Sequence, residues 1–171
     1  GVILLSTGTG NPVWLPKGET DGPSGLAVLA RAFTGLGQRV CLLAEAHYLP
    51  GIAASIQAAG VPFLDEASWR ERDIGALAVA FPLGRNGAEG FVDAFLDRLP
   101  EVRAAVFLEK PGPNVRGVFH NSTGKPKAPE SLGHLDWLAV RCRARGIATV
   151  AVGDGGNEIG FGAVRAQAGN D

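Results

Sequence analysis

Methionine is missing from all 171 residues, and cysteine occurs only at Cys41 and Cys142. Two cysteines so far apart, with no paired spacing, give no disulfide framework and no Cys/His zinc pattern. They read as two buried thiols in a reducing compartment. No apolar run approaches the roughly 20 residues that cross a bilayer, so no membrane partner is expected. Excess charge of one sign is also lacking. The formal net charge is -1, and no basic stripe with interleaved aromatics occurs, which argues against nucleic acid as a partner. There is no internal repeat, no G-x-S-x-G elbow for a serine hydrolase and no H-x-x-x-H pair. The chain starts at Gly1 without a methionine anywhere, so its first residue is not expected to be the native start, and a removed targeting segment stays open.

What is present suits one globular α/β domain: 46% hydrophobic and 19% charged residues over a length close to the usual domain size. Val2–Leu5 reads as a first strand emptying into Ser6-Thr7-Gly8-Thr9-Gly10-Asn11-Pro12. That loop can cradle an anion, although it lacks the third glycine and the immediate helix of a dinucleotide fingerprint. Leu26–Leu36 has helical spacing, with Asp21 or Ser24 as cap. Arg39–Ala44 reads as a second strand, Leu49–Ala59 as a helix and Val61–Leu64 as a short strand. The polar segment 65–73 follows, with Trp69 covering a hydrophobic edge. Strands over Leu77–Phe81 and Ala104–Leu108 flank an amphipathic helix over Ala88–Leu99. Residues 111–130 have no periodicity, and a loop of that length in a compact domain is usually functional or disordered. Ser131–Arg145 reads as a helix burying Leu132, Leu135, Leu138 and Val140, ended by Gly146. Alternating strands and helices predict a three-layer α/β/α fold around a mostly parallel, Rossmann-like sheet.

The stretch that organises the chain is Ile147–Gly162. It reads as a buried strand to Val152, a glycine turn Gly153-Asp154-Gly155-Gly156, and Asn157-Glu158-Ile159 opening a helix that Ala163–Ala168 continues. A strand ending in glycines before a helix is a usual place for chemistry in such folds. Asn157 suits an N-cap as well as a ligand. In a parallel sheet the strand C-termini share one edge. The polar candidates fall largely after strand ends: Thr7 and Gly8, Glu45 and His47, Glu109, and Asp154 with Asn157 and Glu158. Glu19, two residues before Asp21, can face the same cleft. His47 can support the site from a strand end, and His120 lies in the long loop beside Asn121. His134 reads as a capping or surface residue.

Four blocks in order give the chain a resemblance to the D-glutamate cyclase family, whose members include the C-terminal part of a mitochondrial D-glutamate cyclase and many bacterial proteins. The blocks are the Thr7-Gly8 loop, Glu19-Thr20-Asp21-Gly22-Pro23, Glu109 with Gly112 followed by Asn121, and Gly153-Asp154-Gly155-Gly156-Asn157-Glu158-Ile159-Gly160-Phe161-Gly162. The last is the most specific. The resemblance treats residues 1–171 as a single domain. Relatives are expected to continue well past the match to Gly162, so the chain as given is expected to lack the family's C-terminal part. The resemblance implies a location in the cytoplasm for a bacterial protein or the mitochondrial matrix for a eukaryotic one.

The implied activity is that of a hydro-lyase converting D-glutamate to 5-oxo-D-proline and water. The substrate amine attacks the side-chain carboxylate of the same molecule. An unprotonated amine calls for a base, Glu109 or Glu158, with Asp154 also at the reacting centre. A divalent cation, Mg²⁺ or Mn²⁺ by its oxygen donors, is expected on Asp154, Glu19 or Asp21 to neutralise the carboxylate. Thr7, Gly8, Asn121, Gly155, Gly156 and Asn157 are the candidate substrate-binding residues; the glycine loop and Thr7 would take the α-carboxylate or the developing oxyanion. The expected partner is a small acidic amino acid, and a homo-oligomer in which a second chain completes the cleft is left open. Two rival readings remain. One is a non-catalytic domain binding a small acidic metabolite or nucleotide. The other is a haloacid dehalogenase-like phosphatase, whose G-D-G-x-N-[DE] turn Gly153–Glu158 resembles but whose Asp-x-Asp nucleophile is absent.

Overall fold

In the computed structural model, which describes residues 1–10, 15–72 and 74–164, strands and helices alternate along the chain. β1 (Val2–Ser6) leads to α1 (Asp21–Gly35), and β2 (Arg39–Glu45) to α2 (Leu49–Ala58) and the short α3 (Glu66–Glu71). β3 (Ala76–Phe81) precedes α4 (Arg85–Arg98). β4 (Val102–Leu108) runs through the long loop to α5 (Leu135–Ala144), and β5 (Ala148–Val152) ends near a single helical turn, α6 (Phe161–Val164). The strands form one sheet in the order β3-β2-β1-β4-β5, and every pairing is parallel.

The three expected layers follow from the two-residue period of the strands. Val2 and Leu4 of β1 face a core with Cys41, Leu43, Phe107, Trp69, Val92, Phe95, Leu135 and Leu138. Ile3 and Leu5 face the opposite core, with Leu26, Ala30, Leu42, Ile52 and Ile56. Thus α1 and α2 cover one face, and α3, α4 and α5 the other. A strand buried on both faces reads as an unbroken apolar run, as β1 does. β2 and β3 lie on one side of β1, with β4 and β5 on the other. The connections therefore diverge at β1 and β4 and open a crevice beyond their C-terminal ends.

Several expectations change. Val61–Leu64 forms no strand: the segment touches the sheet through one bridge, Phe63 to Ala76. Pro62 contributes only its carbonyl, to Ala76 N at 2.8 Å, since it has no N–H to give. Trp69 is fully buried within α3 rather than lying over an edge, and its indole N–H donates to Val40 O at 3.0 Å. α5 starts at Leu135, and Val140 is 40% exposed. β5, expected as a buried strand, is one of the sheet's two edges among the described residues, and Val150 and Val152 are about half exposed. An apolar run reports β-propensity and does not say which faces are covered. The expected helix over Ala163–Ala168 is described only to Val164; the remainder lies outside the described residues. Among the described residues, no helix is long and apolar enough to cross a membrane.

Candidate active site

Three strand ends build the site. After β1, Thr7 is completely buried, and its Oγ1 has no hydrogen-bond partner among the described residues. It lies against Gly22 in the first turn of α1, where an added Cβ would fall far inside contact distance of Thr7 Oγ1 and 3.5 Å from Glu109 Cβ. Gly22 thus brings α1 close to the strand end and carries Asp21 and Glu19 with it. Neither Asp21 nor Ser24 caps α1. Thr20 occupies the N-cap position without a side-chain bond, Asp21 Oδ1 accepts from Gly22 N, and Ser24 Oγ donates to Asp21 O.

After β4 comes Glu109, the one non-glycine residue with positive φ among the described residues, at 49°. A side chain in this region is uncommon, and such backbone strain collects at functional sites. Its neighbour Lys110 points the other way into the protein. Lys110 and Glu45 are each 2% exposed at the side chain and form an ion pair at 2.5 Å. Lys110 Nζ also donates to Gly8 O at 2.8 Å, and Glu45 Oε1 accepts from Gly133 N at 2.9 Å. This buried pair ties the ends of β1, β2 and β4 together directly beneath the crevice.

After β5, the glycine turn serves Glu158 first. A Cβ at Gly153 or Gly155 would meet the Glu158 side chain at 2.7 to 2.9 Å, and Gly155 N donates to Glu158 Oε1 at 3.0 Å. The glycines therefore let Glu158 fold back over its own turn, leaving Oε2 buried and unpartnered among the described residues. Asn157-Glu158-Ile159 does not open a helix, contrary to expectation. It runs antiparallel to Lys110–Gly112, with Gly112 N donating to Asn157 O and Ile159 N to Lys110 O. Gly112 permits this approach, because Ile159 N lies 3.0 Å from where its Cβ would stand. Asn157 is likewise not an N-cap: its Nδ2 donates to His120 O at 3.0 Å, which pins the long loop.

The result is a convergence of carboxylates. One oxygen each of Glu109, Asp154 and Glu158 lies within 4.8 Å of the others. Glu19 and Asp21 border this group without joining it. The proton affinity of Glu109 is raised by burial first, then by Asp154, Glu158, Asp21 and Glu19. That of Glu19 is raised by burial, then by Asp21, with Lys127 opposing and Asp154 and Glu158 adding to the rise. Oxygen-only donors with mutual repulsion and a buried, orphaned Glu158 Oε2 fit a hard divalent cation. Of the residues expected to hold it, Asp154 lies in the cluster, while Glu19 and Asp21 act on it through their charge. Glu109 and Glu158, read from sequence as bases, stand closer.

Residues 111–130 are ordered by short bridges, Pro113 to Phe119 and His120 to Pro126, and by a 3-10 turn at Pro129–Ser131. Asn121 organises its own turn: its Oδ1 accepts from Thr123 N, Thr123 Oγ1 and Lys125 N. It also lines an open cleft of about 830 Å³ with Arg116, His120, Gly155, Asn157 and Glu158. His47 is exposed against the Tyr48 ring. His134 is buried, neither a side-chain cap nor a surface group, with Nε2 3.1 Å from Pro129 O. Two lysines went unmarked in the sequence. Lys110 is described above. Lys127 is half-buried and donates from Nζ to Thr9 Oγ1 at 2.8 Å. No spacing signal marks either, since their partners are brought by the fold from distant segments.

No curated protein matches the chain. The sequence model of the D-glutamate cyclase-like C-terminal domain matches residues 2–170, nearly the whole length, and the chain belongs to that family.

Proposed function

We propose that this domain is a D-glutamate cyclase-like hydro-lyase, converting D-glutamate to 5-oxo-D-proline and water with the help of a divalent cation. The observation that carries the reading is the cluster of Glu109, Asp154 and Glu158 at the C-terminal ends of β4 and β5 of a parallel sheet in a chain of this family. Asp154 and Glu158 would hold Mg²⁺ or Mn²⁺, which when bound neutralises carboxylate charge and makes the carbon more electrophilic.

The remaining chemistry belongs to the chain. Glu109 accepts a proton from the substrate ammonium, and its raised proton affinity suits it to that task. The freed amine attacks the side-chain carboxyl carbon, and a C–N bond forms. The C–O bond then breaks; the departing oxygen takes the proton held by Glu109 and the second proton lost from nitrogen, and leaves as water. Glu19 and Asp21 keep the site's proton affinity high. Gly155, Gly156 and Asn157, which line the open cleft, would hold the folded substrate in reach of attack, with Thr7 and Gly8 buried behind it at the end of β1.

The test is to incubate purified protein with D-glutamate and Mn²⁺ and follow 5-oxoproline by chromatography. Glu109→Gln should lower kcat by about 10²- to 10⁴-fold, the usual contribution of a positioned base. Asp154→Asn should also weaken Mn²⁺ binding in a calorimetric titration. Full activity in both variants would remove the reading. Stabilisation by D-glutamate without turnover would favour the non-catalytic binding domain.

A further inference from the structure

The reaction just proposed has a charge requirement that the carboxylate cluster does not meet. D-glutamate carries two carboxylates and one ammonium, and the crevice is lined by Glu19, Asp21, Glu109, Asp154 and Glu158. A second anionic group can enter only where a cation receives it. Lys110 is not available, because its ammonium is taken by Glu45 and Gly8 O, and Arg116, the cation of the open cleft, is exposed to solvent.

We infer that Lys127, delivered by the long loop onto Thr9, is the residue that binds the substrate's α-carboxylate and so sets the site's preference for a dicarboxylate. Three observations support the assignment. First, Lys127 Nζ donates to the neutral Thr9 Oγ1 at 2.8 Å and has no carboxylate within 4.0 Å among the described residues. An ammonium has three donors, so two are without a partner among the described residues. Second, it stands near enough to Glu19, at the margin of the cluster, for the two charges to act on each other. Third, Thr7 Oγ1, two residues from Thr9, is fully buried without a partner among the described residues. This oxygen lies against Gly22 in the first turn of α1, so the segment after β1 brings two hydroxyls, Thr7 and Thr9, to this edge of the sheet. Burial of the lysine disfavours its charged form, opposed in part by Glu19 and Glu45 and reinforced by Lys110, a cost that binding an anion offsets.

The loop is held in a way that serves this role. Lys127 N donates to Phe119 O, and His120 bridges Pro126. Asn157, adjacent to Glu158, holds His120 O. The lysine's position is thereby fixed to the same turn that presents the carboxylates.

This inference rests on the cyclase reading, so the experiment separates the two. Lys127→Met and Lys127→Arg are compared with the parent protein for D-glutamate turnover with Mn²⁺ and for Mn²⁺ affinity by calorimetry. Lys127→Met should raise KM about 10- to 100-fold, as loss of a charge-assisted bond does, and Lys127→Arg should recover much of it. Mn²⁺ should bind the Met variant as tightly as the parent or more tightly, because Lys127 is not among the residues that would hold the ion. Unchanged KM, or parallel loss of D-glutamate and Mn²⁺ affinity, would overturn the inference. If the parent protein does not cyclise D-glutamate, the cyclase reading fails while Lys127 is still tested by titrating glutarate. A tenfold or greater loss in Lys127→Met supports the anion site, and equal binding by the two proteins, or none by either, refutes it.

Discussion

Gly22→Ala offers a sharp test of how the crevice is built. In most helices Ala is more favourable than Gly by about 1 kcal/mol. Gly90 illustrates the ordinary case: it sits within α4 with nothing within 4 Å of an added Cβ, so Gly90→Ala should stabilise by about 0.5–1 kcal/mol. At Gly22 the added carbon overlaps Thr7 Oγ1. Thr7 is completely buried, and a β-branched side chain has few other rotamers to take. Overpacking of this kind costs about 1–3 kcal/mol. Set against the helix gain, Gly22→Ala should destabilise by roughly 0–2 kcal/mol, or lower Tm by up to about 8 °C for a chain of this size. Thr7→Ala removes the overlapping oxygen, itself unpartnered. In that background Gly22→Ala should be neutral or stabilising. Urea unfolding of the four proteins gives the coupling, expected at about 1–3 kcal/mol. A cost for Gly22→Ala that is the same with and without Thr7 would refute the reasoning.

Other outcomes follow from the same structure. Lys110→Met leaves Glu45 buried and uncompensated, and should cost about 3–5 kcal/mol in urea unfolding, whereas Lys110→Met with Glu45→Leu should recover part of that loss. In chelator-treated protein the raised carboxyls of Glu109, Glu19 and Asp136 bind protons more tightly folded than unfolded. Their contribution is therefore full below the ordinary carboxylate range and lost as pH rises through the raised folded values. Glu109→Gln should flatten that fall in thermal scans, and a steeper fall would contradict the assignment. Burial pushes the Cys142 thiol up to about 11 and Cys41 further. Both should resist a thiol reagent at pH 8 until the chain unfolds, and rapid labelling of either in the native state would be inconsistent with their burial.

The sheet and the placement of Thr7, Glu109 and Asp154 were legible because an alternating α/β chain puts every parallel strand's C-terminal end on one edge. Polar residues directly after apolar runs then fall together without any knowledge of distances. The position of Glu158 was legible, but its conformation was not: glycines at 153 and 155 read as room for a ligand, and they first make room for Glu158 itself. The Glu45–Lys110 pair joins residues 65 apart, and a lysine after a strand looks like any surface lysine until the fold buries it. Lys127 was hidden for a related reason. It lies in an aperiodic loop whose course is set by local turns around Asn114 and Asn121, not by a pattern that sequence spacing reveals. The exposure of β5 escaped notice because Ile147–Val152 has the same apolar character as the buried strands.

The most direct measurement uses D-glutamate labelled with ¹⁸O in both side-chain carboxylate oxygens, incubated with the protein and Mn²⁺ and analysed by mass spectrometry. Attack of the amine on that carboxylate predicts 5-oxo-D-proline carrying one ¹⁸O in its ring carbonyl. The other label is released into water, and formation is slowed by Glu109→Gln. No product above the protein-free rate, or product formed equally fast by Glu109→Gln, would contradict the account.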